Sequence, residues 1–224
     1  MRKPIIAIDG PAGSGKSTTA KAVAKELGYV HVDSGAVYRA CTLIALEQAK
    51  PPAWWSGEAI VEAARAKPLV VRAERGAVEV LITGRSAEPA IRSPEVTAEV
   101  ARVAAMDQVR EYVNGLLRAA AAQGGVVMDG RDIGTVVFPD AEVKVFMVAE
   151  PDERARRRLA EQGARFDRRS VQRERSHLEA RDTRDSTRSN SPLAMAEGAV
   201  VIDTTRLAFE EQVAKVVELA KHVG

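Results

Sequence analysis

Short apolar runs and longer amphipathic stretches alternate along most of this chain. Pro4-Ile5-Ile6-Ala7-Ile8-Asp9 is apolar almost without interruption and has the length of a strand. Residues 17–27 are good helix formers, and Gly28 stands where a helix C-terminus favours glycine. Residues 29–33 predict a second strand, broken by Ser34-Gly35, and residues 36–48 a helix. Pro51-Pro52 marks residues 50–57 as a linker, because paired prolines cannot sit in a helix interior. Trp54 and Trp55 within it are expected to anchor on a neighbouring surface rather than to stack on bases. Residues 58–66 predict a short helix.

The texture then changes. Residues 69–73, 79–83 and the stretch around Ser86-Ala87 predict short strands, with turns at Arg75-Gly76 and Thr83-Gly84. Residues 67–92 therefore form an inserted antiparallel unit, and residues 94–122 are helical with a break near Ala105-Met106-Asp107. Strand patterns resume at 125–129, 143–148 and 199–203, whose β-branched content suits burial on both faces. An arginine-rich stretch, 153–188, separates the last two, and 209–222 is a closing amphipathic helix. This pattern predicts an α/β fold: a five-stranded parallel sheet between helices, with one β insertion and one basic helical excursion.

Bulk properties narrow the class. A chain of 224 residues can bury a substantial core. Its net charge of +2 comes from many charges of both signs, so no global nucleic-acid signature is present. Cys41, the single cysteine, sits among Ala40, Leu43 and Ile44 and is expected to be a buried thiol. No apolar stretch approaches the ~20 residues that span a membrane. The start of the chain carries no charged-then-apolar leader pattern, so a cytoplasmic location is expected.

The candidate chemistry begins at Gly10-Pro11-Ala12-Gly13-Ser14-Gly15-Lys16-Ser17, a complete match to the phosphate-binding pattern G-x-x-x-x-G-K-[ST]. It lies between a strand and a helix, as the mechanism requires. Glycines let backbone N–H groups close on phosphate oxygens, and the helix aims its positive end at the same place. These residues together with Thr18 are the expected ATP site. Lys16 would reach the β- and γ-phosphates and the Ser17 hydroxyl would bind Mg²⁺.

In an open parallel sheet, ligands bind at the carboxyl ends of the strands. Asp33-Ser34-Gly35 with Tyr38-Arg39, and Asp129-Gly130-Arg131-Asp132, stand at two such ends. Asp129 resembles the acidic element that orients Mg²⁺, while a turn or cap role remains open for Asp33 and Asp129 alike. Arg39 and Arg131 suit a phosphate cleft. Arg154, Arg156, Arg157 and Arg158 follow Pro151, and Arg181, Arg184, Asp185 and Arg188 recur at spacings that place them near one helix face. That stretch reads as a solvated ion-paired helix, as a mobile lid carrying arginines to a phosphoryl group, or as an RNA-binding helix. Phe166 is its only aromatic, which speaks against base stacking.

These motifs resemble the bacterial cytidylate kinase family. The resemblance is carried by the phosphate loop, by Asp33-Ser34-Gly35-Ala36-Val37-Tyr38-Arg39 and by Asp129-Gly130-Arg131-Asp132-Ile133-Gly134-Thr135. Arg181-Asp182-Thr183-Arg184-Asp185 and Ile202-Asp203-Thr204-Thr205 extend it over almost the whole chain. It implies a P-loop nucleoside monophosphate kinase with a core at 1–50, 123–150 and 195–224, a monophosphate-binding insertion at about 51–122 and a lid at about 151–194. It also implies a monomer acting on ATP and CMP or dCMP with Mg²⁺, without nucleic-acid or membrane partners.

By position, Ser34, Arg39, Arg110, Arg131, Asp132, Arg181, Asp185 and Arg188 match the family's CMP-contacting residues. Arg39 and Arg131 would grip the acceptor phosphate, Asp132 and Arg188 the cytosine edge, and Arg181 with Asp185 the ribose. Lys16, Arg131, Arg154, Arg157 and Arg158 would carry catalysis, the last three as lid arginines. Two positions depart from the pattern. Ala101 stands where the family often has a serine near the base, and Asp107 where it usually has a proline. The acceptor is already an anionic phosphate oxygen, so no strong general base is needed. His177 and His222 are expected at the surface, and His31 as a polar group at a strand end.

Overall fold

The computed structural model describes residues 3–48, 50–74, 77–164 and 167–223. The turn expected at Arg75-Gly76 and the aromatic Phe166 lie outside the described residues. Strand β1 (Lys3–Asp9) runs through the phosphate loop into helix α1 (Lys16–Leu27), then β2 (Val30–Asp33) and α2 (Ser34–Leu46). Helix α3 (Gly57–Ala66) precedes three short strands, β3 (Leu69–Glu74), β4 (Ala77–Ile82) and β5 (Arg85–Ser86). Helices α4 (Pro94–Val103) and α5 (Asp107–Ala120) lead to β6 (Gly124–Gly130) and β7 (Val143–Val148). After α6 (Pro151–Glu161) and α7 (Arg168–Thr187), the chain ends with β8 (Val200–Asp203) and α8 (Phe209–Lys221).

The parallel sheet has the order β2-β6-β1-β7-β8, with β1 between β6 and β7. Alternation along β1 explains the layers. Ile5 and Ala7 face one apolar cluster with Val37, Cys41, Ile60 and Val113 from the helices α2, α3 and α5. Ile6 and Ile8 face the other, with Val23 from α1 and Val216 from α8. A strand buried on both faces needs apolar residues at successive positions, as β1 has from Pro4 to Ile8. The Cys41 thiol is fully buried and pushed up to about 12 by burial.

Several expectations need correction. The inserted strands β3, β4 and β5 pair antiparallel as expected, and β4 also joins the edge of β2 through a parallel bridge between His31 and Ala77. The second strand ends before Ser34-Gly35 as expected, but α2 starts at Ser34 rather than Ala36, with the Asp33 carboxylate accepting from the Ala36 N–H at 3.2 Å. Strand β8 is an edge strand rather than a doubly buried one, and Val200 and Val201 are exposed. Trp55 is buried and donates from Nε1 to the Lys50 carbonyl at 3.0 Å, whereas its neighbour Trp54 is 78% exposed. The break between α4 and α5 falls at residues 104–106, as expected.

Two ties fix the carboxyl ends of the central strands. The Asp9 carboxylate accepts from the backbone N–H groups of Ile133 and Gly134, at 2.8 and 2.7 Å. It thereby fastens the π-helical turn Ile133–Val137 to the end of β1. Burial raises Asp9 to about 6, opposed by those two hydrogen bonds. Gly10 then turns with φ 153°, and a Cβ there would lie 2.2 Å from the Met147 carbonyl oxygen of β7. No side-chain rotation relieves a clash with backbone. Gly10→Ala is therefore expected to cost about 3 kcal/mol, through strain and displacement of the loop. Differential scanning calorimetry should show the melting temperature lower by roughly 6–12 °C; an unchanged value would contradict this packing.

Candidate active site

A cleft opens at the carboxyl ends of the parallel strands, where the sequence pattern places it. Its walls are the phosphate loop (Ala12, Gly13, Gly15 to Thr18), the start of α2, part of α4 and α5, the turn after β6, and α6 and α7. Gly10, Pro11 and Ser14 do not line the cleft. Gly15 takes φ 87°, which lets the chain enter α1 directly from the loop. Lys16 is buried, and its Nζ donates to the Pro11 carbonyl at 3.1 Å.

Cations from distant parts of the chain share this cleft. Arg39 comes from α2, Arg131 from the turn after β6, Arg158 from α6 and Arg181 from α7. Burial, then the nearby Arg131 and Arg181, lowers Lys16 to about 7. Burial lowers Arg181 to about 10, with Arg131, Arg39 and Arg158 adding repulsion against the pull of Asp185. Arg39 is pulled down by burial and by Arg92. Asp33, Asp129, Asp132, Glu161 and Asp185 line the same cleft and offset part of this charge, Glu161 pairing with Arg158 at 2.9 Å. Asp185 accepts from Arg131 Nε at 2.9 Å, and Arg39 is held by the Ile91 carbonyl at 3.2 Å and Thr97 Oγ1 at 2.9 Å.

At the far end of the cleft, Asp132 pairs with Arg110, and both are buried. Arg188 Nη2 stands 3.7 Å from the other Asp132 oxygen, and the Arg110 guanidinium lies over the Tyr38 ring at 5.3 Å. Tyr38 Oη, Arg110 Nε and Arg188 Nη2 are buried without a hydrogen-bond partner among the described residues. Buried donors left unpaired in a polar cleft point to a ligand that completes them. Asp107, the first residue of α5, leaves the helix regular, since Arg110 N donates to the Met106 carbonyl at 3.0 Å. Its carboxylate accepts from Asn190 Nδ2 at 2.8 Å. Ala101 lines the cleft with a methyl group where a serine would offer a hydroxyl.

Other expected residues are placed differently. Ser34 lines the cleft, yet its hydroxyl donates to the Asp129 carbonyl at 2.7 Å. Arg188 follows the end of α7 in an extended conformation, so it does not share a helix face with Arg181. Arg184 is exposed and only Asp185 of that adjacent pair turns inward. Of the three lid arginines, only Arg158 reaches the cleft. Arg154 is buried between the Ala12 carbonyl and Asp182, and Arg157 grips Thr204 with Nη1 and Nη2 at 2.9 and 2.7 Å. Arg92, tied to Asp33 and Glu88, also lines the cleft. A lone arginine after a proline-containing turn carries no sequence signal for that role.

Ser17 Oγ donates to Asp129 Oδ2, and His31 Nε2 lies 2.8 Å from Asp129 Oδ1. Burial raises the Asp129 carboxyl, but the hydrogen bond and electrostatic pull of His31, with Lys16 and Ser17, hold it below the usual carboxylate range. His31 is thus not a loose polar group at a strand end.

Known proteins bear on this geometry. The family model described as cytidylate kinase matches residues 6–222. A cytidylate kinase of Lactobacillus gasseri is 42% identical over 96% of this chain and 92% of its own length. One of Streptococcus pneumoniae is 45% identical over 96% of both chains. A crystal structure of an uncharacterized protein from Eubacterium ventriosum shares the fold, with a TM-score of 0.51 and 12% identity over 98% of this chain and 99% of that one. The chain belongs to the cytidylate kinase family and is a nucleoside monophosphate kinase.

Proposed function

We propose that this enzyme transfers the γ-phosphoryl group of ATP, reversibly, to the 5′-phosphate of CMP or dCMP, with Mg²⁺ accompanying the donor. The observation that carries this reading is the shared cleft: Arg39, Arg131 and Arg181 stand together opposite Lys16 on one polar hollow. Like charges crowd there because an anionic ligand offsets them when it binds. The amide-lined loop takes the donor phosphates, and Arg39 with Arg131 takes the acceptor phosphate. Asp132, with Arg110 and Arg188 around it, reads the cytosine edge through the donors left unpaired at that end. Arg181 and Asp185 face the ribose.

Ser17 Oγ and the Asp129 carboxylate touch each other at the cleft wall. Two hard oxygen donors, one of them an ionised buried carboxylate, fit a hard divalent cation. Ser17 and Asp129 would hold Mg²⁺ there, which would supply positive charge against the negative charge that develops in transfer. The chain supplies the rest: orientation of the two phosphates, cations along the path and exclusion of water.

The division of labour follows the cleft. Residues 1–50, 123–150 and 195–224 form the core, about 51–122 the acceptor-binding part, and about 151–194 the lid. Helices α6 and α7 share an apolar cluster with Ala12 of the phosphate loop, so the lid rests on the donor site itself. Within it Arg158 is the arginine we assign to the transferring group, while Arg154 and Arg157 hold the lid in place.

Three measurements check this. Coupled release of ADP with a panel of acceptors should show turnover on CMP and dCMP; activity on AMP or shikimate without CMP or dCMP would reject the assignment. Arg158→Ala should lower kcat by about 10³-fold with the melting temperature unchanged. Arg154→Ala should instead cost about 3 kcal/mol of stability, because it strips Asp182 of its partner. Equal loss of activity without loss of stability in both variants would contradict these roles. Finally, free Lys16, lowered to about 7, is partly neutral at pH 8, and phosphate oxygens raise it again. Calorimetry of ATP binding at pH 8 in buffers of different ionisation enthalpy should report proton uptake that fades below pH 6 and disappears in Lys16→Met. Proton uptake that persists in Lys16→Met would overturn this.

A further inference from the structure

Both oxygens of the Asp129 carboxylate are already engaged. Ser17 approaches one and His31 the other, and the His31 and Asp129 side chains are only 14% and 2% exposed. In the parallel register of β2 and β6, His31 stands beside Val127 and Asp33 beside Asp129. The imidazole therefore leans along the strand, toward the cleft, to meet the carboxylate. Its backbone sits at the bridge between β2 and β4, so the ring is carried by a point fixed on both sides. Ser17, by contrast, is exposed, and its side-chain torsion has other staggered positions open to it. A carboxylate held by Ser17 alone would have one adjustable anchor.

We propose that His31 is a positioning residue for Asp129: its Nε2–H holds Oδ1 and so keeps Oδ2 turned toward Ser17, where the two oxygens would hold the metal. The proposal rests on the phosphoryl-transfer reading above, and it gives a role to a residue that no motif covers. Partners that orient a metal-binding carboxylate act through the carboxylate, and their loss commonly weakens metal affinity 10–100-fold. His31, Lys16 and Ser17 act on the Asp129 carboxylate, and Ser34 Oγ donates to its carbonyl. Of the first three, His31 alone approaches from the side away from the phosphate loop.

The test uses the full-length enzyme with Mn²⁺ as the probe. Binding of Mn²⁺ to enzyme carrying a non-hydrolysable ATP analogue is followed by electron paramagnetic resonance in wild type, His31→Leu and His31→Gln. His31→Leu should weaken Mn²⁺ binding about 10–100-fold and raise the Mg²⁺ concentration for half-maximal rate in parallel. Its metal-free affinity for CMP should stay at the wild-type value, while loss of the buried hydrogen bond lowers its melting temperature. His31→Gln, whose amide N–H reaches a similar position, should recover most of the metal affinity. Wild-type Mn²⁺ affinity in His31→Leu, or no recovery in His31→Gln, would overturn the proposal. So would a loss of metal-free CMP affinity equal to the loss of Mn²⁺ affinity, the mark of a merely structural joint between β2 and β4. Failure of the wild type to phosphorylate CMP would sink the underlying reading and is measured separately.

Discussion

Repulsion among cations is the constraint from which the rest of this structure follows. Lys16, Arg39, Arg131, Arg158 and Arg181 line one hollow, and burial together with mutual repulsion pulls Lys16 and Arg181 well below their usual values. Such an arrangement is unfavourable in the empty protein and is sustained only by a fold that fixes each backbone firmly. It becomes favourable when phosphate groups enter. Phosphoryl transfer needs the same thing, since its transition state spreads negative charge that these groups can offset.

The fold meets that demand by tying strand ends together before the arginines leave them. Asp9 at the end of β1 holds the turn after β6, so Arg131 and Asp132 start from a fixed platform. Asp33 caps α2 and aims Arg39 from its second turn. Helices α6 and α7 are seated on the phosphate loop by Arg154, Asp182 and Ala12, so Arg158 and Arg181 arrive from a pair of helices already in register with that loop. Each tie uses a polar residue whose own chemistry is consumed in the fold. Neighbouring residues of the same type therefore do different work: Arg154 holds, Arg158 faces the cleft.

That division sets the limit of what was legible in the sequence. The parallel strands, the phosphate loop and the interrupted helix at 94–122 were visible because apolar period and glycine spacing encode them locally. The cleft residues matched motifs at strand ends, where topology alone directs side chains inward. Which of Arg154, Arg157 and Arg158 reaches the cleft was not visible, because it depends on partners such as Thr204 and Asp182 far away in the chain. Arg92 and His31 were missed for the same reason: each is a single residue whose role appears only when its distant carboxylate is in place. Burial of β8 was overestimated because a β-branched run looks the same at the edge of a sheet as in its middle.

The central claim is geometric: two phosphate chains meet head to head between the amide-lined loop and the arginine cluster. A crystal structure with cytidine and adenosine joined through a run of phosphates addresses it directly. The account predicts phosphates running continuously from Gly13–Lys16 to Arg39 and Arg131, with cytosine beside Asp132, Arg110 and Arg188. A ligand whose phosphates leave that line, or whose cytosine lies outside the Asp132 end of the cleft, would contradict it.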